Sequence, residues 1–232
     1  MSYKTELHCH TSEVSPCSHE SAAEVAAKYI ENGYDTLVIT NHAATDIFNY
    51  HIPGESFEEK VKYYFDTVEQ VRLAAGDKLH VIDGMEIRFD ENNNDYLVFG
   101  MTPKLLLSYP DVFKNGYRAF HYFAVDNGLV FIQAHPMRFG MTTTTPDWVD
   151  GYEIFNGHPN QRSHNDVAEA WARHFTRHKL ILTSGTDNHD AYMTPDGGIE
   201  TDAPITTPEE LIAVLRGGNY TLIRSPLGDA EY

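Results

Sequence analysis

Short apolar runs alternate with longer amphipathic stretches along nearly the whole chain. Tyr3–Leu7 reads as a first strand. Ser21 with Glu24 has capping-box spacing, opening a helix over Ala22–Asn32 that Gly33 halts. Thr36–Thr40 is a second strand. Ser56 and Glu59 repeat the capping pattern before a long amphipathic helix, Phe57–Ala75, stopped at Gly76. His80–Ile87 and Tyr96–Gly100 flank the polar turn Asp90–Asp95 and predict a hairpin. A helix over Asp111–Asn127 ends at Gly128, and Leu129–Ala134 follows as a buried strand. Gly151–Phe155, a helix over Asn165–His178 and a strand over Leu180–Ser184 continue the series. Thr207-Pro208-Glu209-Glu210 combines an N-cap, a proline at the first helical position and an acidic third position. That helix runs to Arg216 and stops at Gly217-Gly218, ahead of a last strand over Tyr220–Arg224.

Alternation of this kind, without an internal repeat, low-complexity tract or linker, predicts one α/β domain over 1–232. The expected architecture is an irregular βα barrel of about seven parallel strands. Gly140–Trp148 and Asp190–Pro204 lack periodicity and read as loops beyond strand ends, able to shape a pocket.

With 41% hydrophobic residues in 232, the chain can bury a full core. Its 17 Lys+Arg against 34 Asp+Glu give a formal charge of −17. Such a surface repels polyanions at long range, so nucleic acid is a disfavoured partner. Cations bound in a cleft would reverse the sign locally, leaving a small anionic substrate open. Cys9 and Cys17 read as reduced thiols, as in a cytoplasmic protein, with a disulfide between them or Cys17 as a metal ligand as the alternatives. The stretch MSYKTELH carries no charged and apolar regions of a signal peptide. No apolar run approaches the roughly 18 residues of a membrane span. A cytoplasmic, membrane-free protein is therefore expected. Oligomeric state leaves no readable trace.

Imidazoles and carboxylates recur where the predicted strands end: His8 and His10, His42, Glu86, His135, Asp187 and His189. These groups hold borderline and hard divalent cations. His8 and His10 are two residues apart in extended chain and so project to one face. Asp187 and His189 repeat that spacing past Leu180–Ser184. Either pair alone is a weak signal, but two at the ends of strands in an alternating fold reinforce each other. Glu86 lies within an apolar strand, an expensive place for an unpaired charge. A salt bridge to Arg88, on the same strand face, or a pair of bridged cations would each explain it. His135 follows an apolar run and precedes Pro136, which keeps the turn extended.

The segments HCHTSE, ITNH, GMEI, AHP and GTDNH, in that order, resemble the successive motifs of the PHP (polymerase and histidinol phosphatase) family. The resemblance runs from residue 5 to about residue 190. It implies a distorted seven-stranded βα (TIM-like) barrel holding two or three divalent metal ions, usually Zn, Mn or Fe, and hydrolysis of phosphate esters. Carried over by motif, His8, His10, Glu86 and Asp187 would hold a first metal and His42 and His189 a second. Glu86 would bridge toward a third near His135.

The chain departs from the family pattern in three places. Asn41 stands where the family usually has Asp. The loop after HxH, which usually supplies Asp or His, offers Glu13, Cys17 or His19; Glu13 is favoured for its charge and nearness to His10. After Glu86 a further His is replaced by Asn94-Asp95-Tyr96, so that either Asp95 substitutes or the third site is weak or empty. Tyr152–His158 resembles a later segment whose Glu and Asn line the site, pointing to Glu153 and Asn156.

The chemistry expected is in-line attack of a metal-activated hydroxide on a small phosphorylated metabolite or nucleotide. Arg162 would bind phosphate oxygens through its fork of donors, and His164 or His158 would protonate the leaving group. No G-x-S-x-G or similar nucleophile context supports a covalent route. The competing readings are a metal-dependent hydrolase of an amide or lactone, and a metal-binding regulatory domain without turnover. His51, His80, His121, His174 and His178 fall outside the motifs and read as structural or solvated.

Overall fold

A computed structural model of the chain describes residues 2–225; Met1 and 226–232, part of the expected domain span of 1–232, lie outside the described residues. In chain order the elements are β1 (Tyr3–Glu6), α1 (Ala22–Glu31), β2 (Thr36–Ile39), β3 (His42–Ala43), α2 (Thr45–Tyr50) and α3 (Phe57–Ala75). Then come β4 (His80–Arg88), β5 (Asp95–Phe99), α4 (Pro103–Leu107), α5 (Gly116–Asp126), β6 (Val130–Gln133) and β7 (Gly151–Asn156). The chain closes with α6 (Asn165–His174), β8 (Ile181–Gly185), β9 (Ile199–Thr201), α7 (Pro208–Gly217) and β10 (Thr221–Leu222).

The strands form one sheet in the order β10-β9-β1-β2-β4-β5-β6-β7-β8, with β3 beside β4. Beyond the ends of β1 and β8 the chain meets again in a parallel bridge between Cys9 and Asn188. There Asp187 N–H donates to His8 O at 2.8 Å and His10 N–H to Asn188 O at 3.1 Å. This bridge curls seven of the strands, β1 through β8 without β3, into a nearly closed, distorted barrel. The expectation of parallel strands is corrected at one member: β5 runs antiparallel to both β4 and β6, because a tight hairpin reverses the chain. β9 and β10 extend the sheet antiparallel to β1.

Capping locates the helices well. Ser21–Glu24 and Ser56–Glu59 form both reciprocal bonds of a capping box, satisfying N–H groups that the first helical turn leaves open. Boundaries move elsewhere. The helix expected from Asp111 starts at Gly116, whose φ of +79° breaks the preceding turn, and the one expected to reach His178 stops at His174. The short helices α2 and α4 and the strand β9, within the expected loop Asp190–Pro204, are too brief to print a periodicity.

Along β4, Ile82, Gly84 and Glu86 share one face, by the two-residue period of a strand. Ile82 packs with Leu7, Val38, Leu97, Val130 and Ile132 and with Leu211 and Leu215 of α7, which closes one end of the barrel. Met85 and Ile87 pack outward on aromatic and aliphatic side chains of the α2, α3 and α5 side. Glu86, four residues beyond Ile82, therefore lies at the opposite, open rim, with only 1% of its surface exposed. Among the described residues no helix is long and apolar enough to cross a membrane.

Candidate metal centre

Strand ends deliver the chemistry, as the direction of a βα barrel requires. β1 leads into His8 and His10, β2 into His42, β6 into His135, and β8 into Asp187 and His189. β5 runs the other way, so its first residue, Asp95, reaches the same rim. Seven of the eight expected metal ligands meet here, around the carboxylates of Glu86 and Asp187. Its Oε1 lies 3.3 Å from His8 Nε2 and 3.0 Å from His135 Nε2. Its Oε2 lies 3.3 Å from His10 Nε2 and 2.8 Å from His42 Nδ1. Asp187 Oδ1 is 3.3, 3.2 and 3.3 Å from imidazole nitrogens of His8, His10 and His189. Arg88 turns away to pair with Asp46 at 3.0 Å, so the salt-bridge explanation of Glu86 does not hold.

The eighth expected ligand, Glu13, is not brought in. The turn Thr11–Ser15 carries it toward α1, where its Oε1 accepts the Ala22 N–H at 2.9 Å. His19 lies at the surface on Asp190, 2.6 Å away. Cys17, in the same loop, is an exposed free thiol. Arg162 and His164 are exposed on the segment before α6. The guanidinium that enters the cluster is that of Arg138, which the sequence reading passed over. Its Nη2 donates to Asp187 Oδ2 and to Asn156 Oδ1, each at 2.8 Å. Its only sequence signal was its place three residues beyond His135. His158 is half-buried with its ring 5.2 Å from that of His189.

Further contacts fix the orientation of the ligands, as metal-binding imidazoles require. His8 Nδ1 bonds Glu153 Oε1 at 2.9 Å and His10 Nδ1 meets Ser15 Oγ at 3.2 Å, so each ring directs Nε2 inward. Glu153 Oε2 also accepts from His135 N–H at 2.9 Å and Asn156 Nδ2 at 3.0 Å. A β-bulge between Glu153 and Phe155 places Glu153 and Asn156, three residues apart, on the same face. Asn41 holds the HxH loop: its Oδ1 accepts from Thr11 N–H at 2.7 Å and from Ser15 Oγ at 3.1 Å. His135 and Asp187 have φ of +26° and +55°, strained for side-chain-bearing residues. Below the rim Glu6 accepts the N–H groups of His8 and Thr186, each at 2.9 Å, tying β1 to the exit of β8.

Electrostatics set a charged network. Burial opposes charge on His8, yet Asp187, Glu153 and Glu86 outweigh it and raise its pKa well above the usual imidazole value. Burial opposes ionisation of Glu86 and Asp187 too, but His8 leads a set of cations that holds both well below the carboxylate range. His10 goes the other way: burial, then His189 and His42, lower it. Burial raises Asp95 to about 6, reinforced by Glu86. Burial disfavours the Cys17 thiolate, but hydrogen bonds from His189 and His42 bring the thiol down to about 6.

This donor set fits divalent cations. Four groups bring their ligand atoms within 4.8 Å of one another: His8–His10–Asp187, His10–His42–His189, His8–Glu86–His135 and His42–Glu86–Asp95. His8 Nε2 and His10 Nε2 are buried with no hydrogen-bond partner among the described residues, a costly state for polar atoms that a cation would relieve.

A nearly closed βα barrel with converging imidazoles and carboxylates at its rim belongs to the class of metal-site barrels. The chain is a member of the PHP domain family, whose sequence model matches residues 6–197. No curated protein matches it in sequence. Among solved structures it resembles a two-domain protein of Bacteroides vulgatus, described as containing a predicted PHP-like metal-dependent phosphoesterase, at 14% identity and TM-score 0.65 over 97% of this chain. It spans 65% of that protein's length. An amidohydrolase of Chromobacterium violaceum with bound sulfate matches at 16% identity and TM-score 0.60, over 94% of this chain and 97% of that one. A lesion-specific endonuclease of Pyrococcus furiosus matches at 14% and 0.63, over 96% of this chain and 58% of that one. At such identities the likeness establishes the fold.

Proposed function

We propose that this chain is a metal-dependent phosphoesterase acting on a small phosphorylated metabolite or nucleotide. The observation that carries the reading is the placement of Glu86 between two pairs of imidazoles, with Arg138 at the edge of the same cluster. His8, His10, Glu86 and Asp187 would hold a first ion, His42 and His189 a second, and Glu86 reaches toward a third beside His135. Divalent ions held there supply a nucleophile from water at neutral pH and neutralise charge on a phosphoryl group.

The protein's own groups account for the rest. Glu153 and Asn156 fix His8 and Arg138, so the ligand rings and the guanidinium are set before substrate arrives. Arg138 offers a planar fork of donors suited to phosphate oxygens. This role passes to Arg138 from the exposed Arg162. His158, beside His189, is better placed than the exposed His164 to hand a proton to the leaving oxygen.

The endonuclease neighbour keeps a nucleic-acid substrate in view, whereas the charge of −17 favours a small anion. The test is hydrolysis of p-nitrophenyl phosphate, bis-p-nitrophenyl phosphate, a single-stranded oligonucleotide and p-nitrophenyl acetate by full-length protein loaded with Mn²⁺ or Zn²⁺. Turnover of a small phosphoester, abolished by chelator, is expected. Hydrolysis of the acetate alone would favour a carbon-centred hydrolase, and no turnover on any of them a regulatory domain.

A further inference from the structure

We infer that Lys28 and Glu20, a buried ion pair outside the ligand cluster, are positioning residues that hold Asp187 and His189 in the shape that takes metal. The inference rests on the metal reading above. A lysine in the last turn of a helix ordinarily lies in water, where its charge offsets the helix dipole. Lys28 occupies that place in α1, yet its side chain is only 10% exposed and that of Glu20 only 4%. An ammonium has three donors, and here each has an acceptor. They are Glu20 Oε2, Asn188 Oδ1 at 3.0 Å and the Asp190 carbonyl at 2.7 Å.

Asn188 links this pair to the ligands, standing between Asp187 and His189. Its side-chain amide is held from both ends: Oδ1 accepts from Lys28 and Nδ2 donates to Glu20 Oε2 at 2.9 Å. Its backbone carbonyl accepts the His10 N–H at 3.1 Å, and the Asp187 N–H just before it donates to His8 O at 2.8 Å. The bond to Asp190 O fixes the far side of His189. The Glu20 carbonyl in turn accepts the Ser12 N–H at 2.8 Å, two residues beyond His10. His8, His10, Asp187 and His189 thus lie in two segments joined through one ion pair.

This turn needs such a hold. Asp187 has φ of +55°, unfavourable for a residue with a side chain, and such a conformation persists only where its surroundings impose it. A buried ion pair adds little stability, because desolvation offsets the attraction, but its directional bonds fix geometry. α1 supplies the rigid base: a capping box closes its first turn, and Val25, Ala26 and Tyr29 are buried against the core. The pair carries that stiffness to the one turn that bears a ligand of each of the two expected ions.

The experiment titrates Zn²⁺ into chelator-treated full-length protein as wild type, Glu20→Gln/Lys28→Met and Lys28→Arg, with thermal unfolding of each metal-free form. The double variant leaves no buried charge unpaired. It should unfold close to the wild-type temperature when metal-free, yet bind Zn²⁺ about 10- to 100-fold more weakly, the usual effect of losing an outer partner of a metal ligand. Lys28→Arg should recover part of that affinity. Linkage requires the reverse effect in the wild type. Saturating Zn²⁺ should slow acetylation of Lys28 by acetic anhydride about 10-fold or more relative to the exposed Lys62, read by mass spectrometry. That measurement needs no variant and decides alone if the double variant does not fold. Wild-type affinity in the double variant, or Lys28 acetylation indifferent to Zn²⁺, would overturn the positioning role and leave the metal cluster standing. A wild type that binds no Zn²⁺ would overturn both.

Discussion

Glu86 is surrounded by four imidazoles because its strand alternates: Ile82 anchors the same face in the core, and two periods later the side chain reaches the rim. At this scale the convergence of these imidazoles and carboxylates was legible in the sequence, since such groups at the ends of apolar runs have few other reasons to recur. Arg138 was not legible, because a basic residue in a loop carries no periodicity that says where it points. Truncating it should expose its role. Arg138→Ala should lower kcat/KM for a phosphoester about 10- to 100-fold, matching the roughly 1.5–3 kcal/mol of hydrogen bonds to a charged group. Arg138→Lys should recover part of this. Equal kcat/KM in all three proteins would remove Arg138 from the substrate site.

A pH-dependent stability term sits away from the ligands, at Asp196. Burial, aided by the charge of Glu6, raises its pKa from 3.8 to about 7. The fold therefore favours the protonated form. Its contribution is fully present below 3.8, fades as pH rises, and is lost above about 7. Asp196→Asn should accordingly raise Tm at pH 8 and change it little at pH 4. Calorimetry at both values checks this; an equal shift at both would show that burial of the charge is not the cause.

The elements position these residues through features of uneven visibility. Capping boxes and glycine stops marked most helices, and apolar runs marked the strands. The polar turn Asp90–Asp95 marked β4 and β5 as a hairpin, and so the reversal of β5, although the barrel as a whole was expected to be parallel. The bulge in β7 was silent, yet it is what lets Glu153 and Asn156 face one site. Gly185, at the end of β8, makes room for that pair. A Cβ there would press on His8 Cβ and come within 2.6 Å of Glu153 Oε1. Gly185→Ala should cost about 1–3 kcal/mol of stability, the usual range for overpacking, and disturb the His8–Glu153 bond. Urea unfolding and metal affinity would both report it, and a neutral result would mean that His8 has freedom to shift.

For the whole molecule, the barrel explains why segments from residue 8 to residue 189 act together: one rim collects what every strand delivers. The fold and the convergence of these residues were readable in advance because both follow from the order of strands and the residues at their ends. Loop positions beyond the strands were not, since their placement depends on local hydrogen bonds: Glu13 caps a helix, while His19 pairs with Asp190 at the surface. The central claim is that Glu86 is shared by more than one bound cation. Its most direct test is the metal content of reconstituted full-length protein and of Glu86→Gln, measured by mass spectrometry after gel filtration, with circular dichroism to verify folding. The wild type should retain at least about two equivalents of divalent metal and the variant no more than about one, as expected when a carboxylate common to paired ions is lost. A wild type that retains no metal, or a variant with the same content as the wild type, would contradict the account.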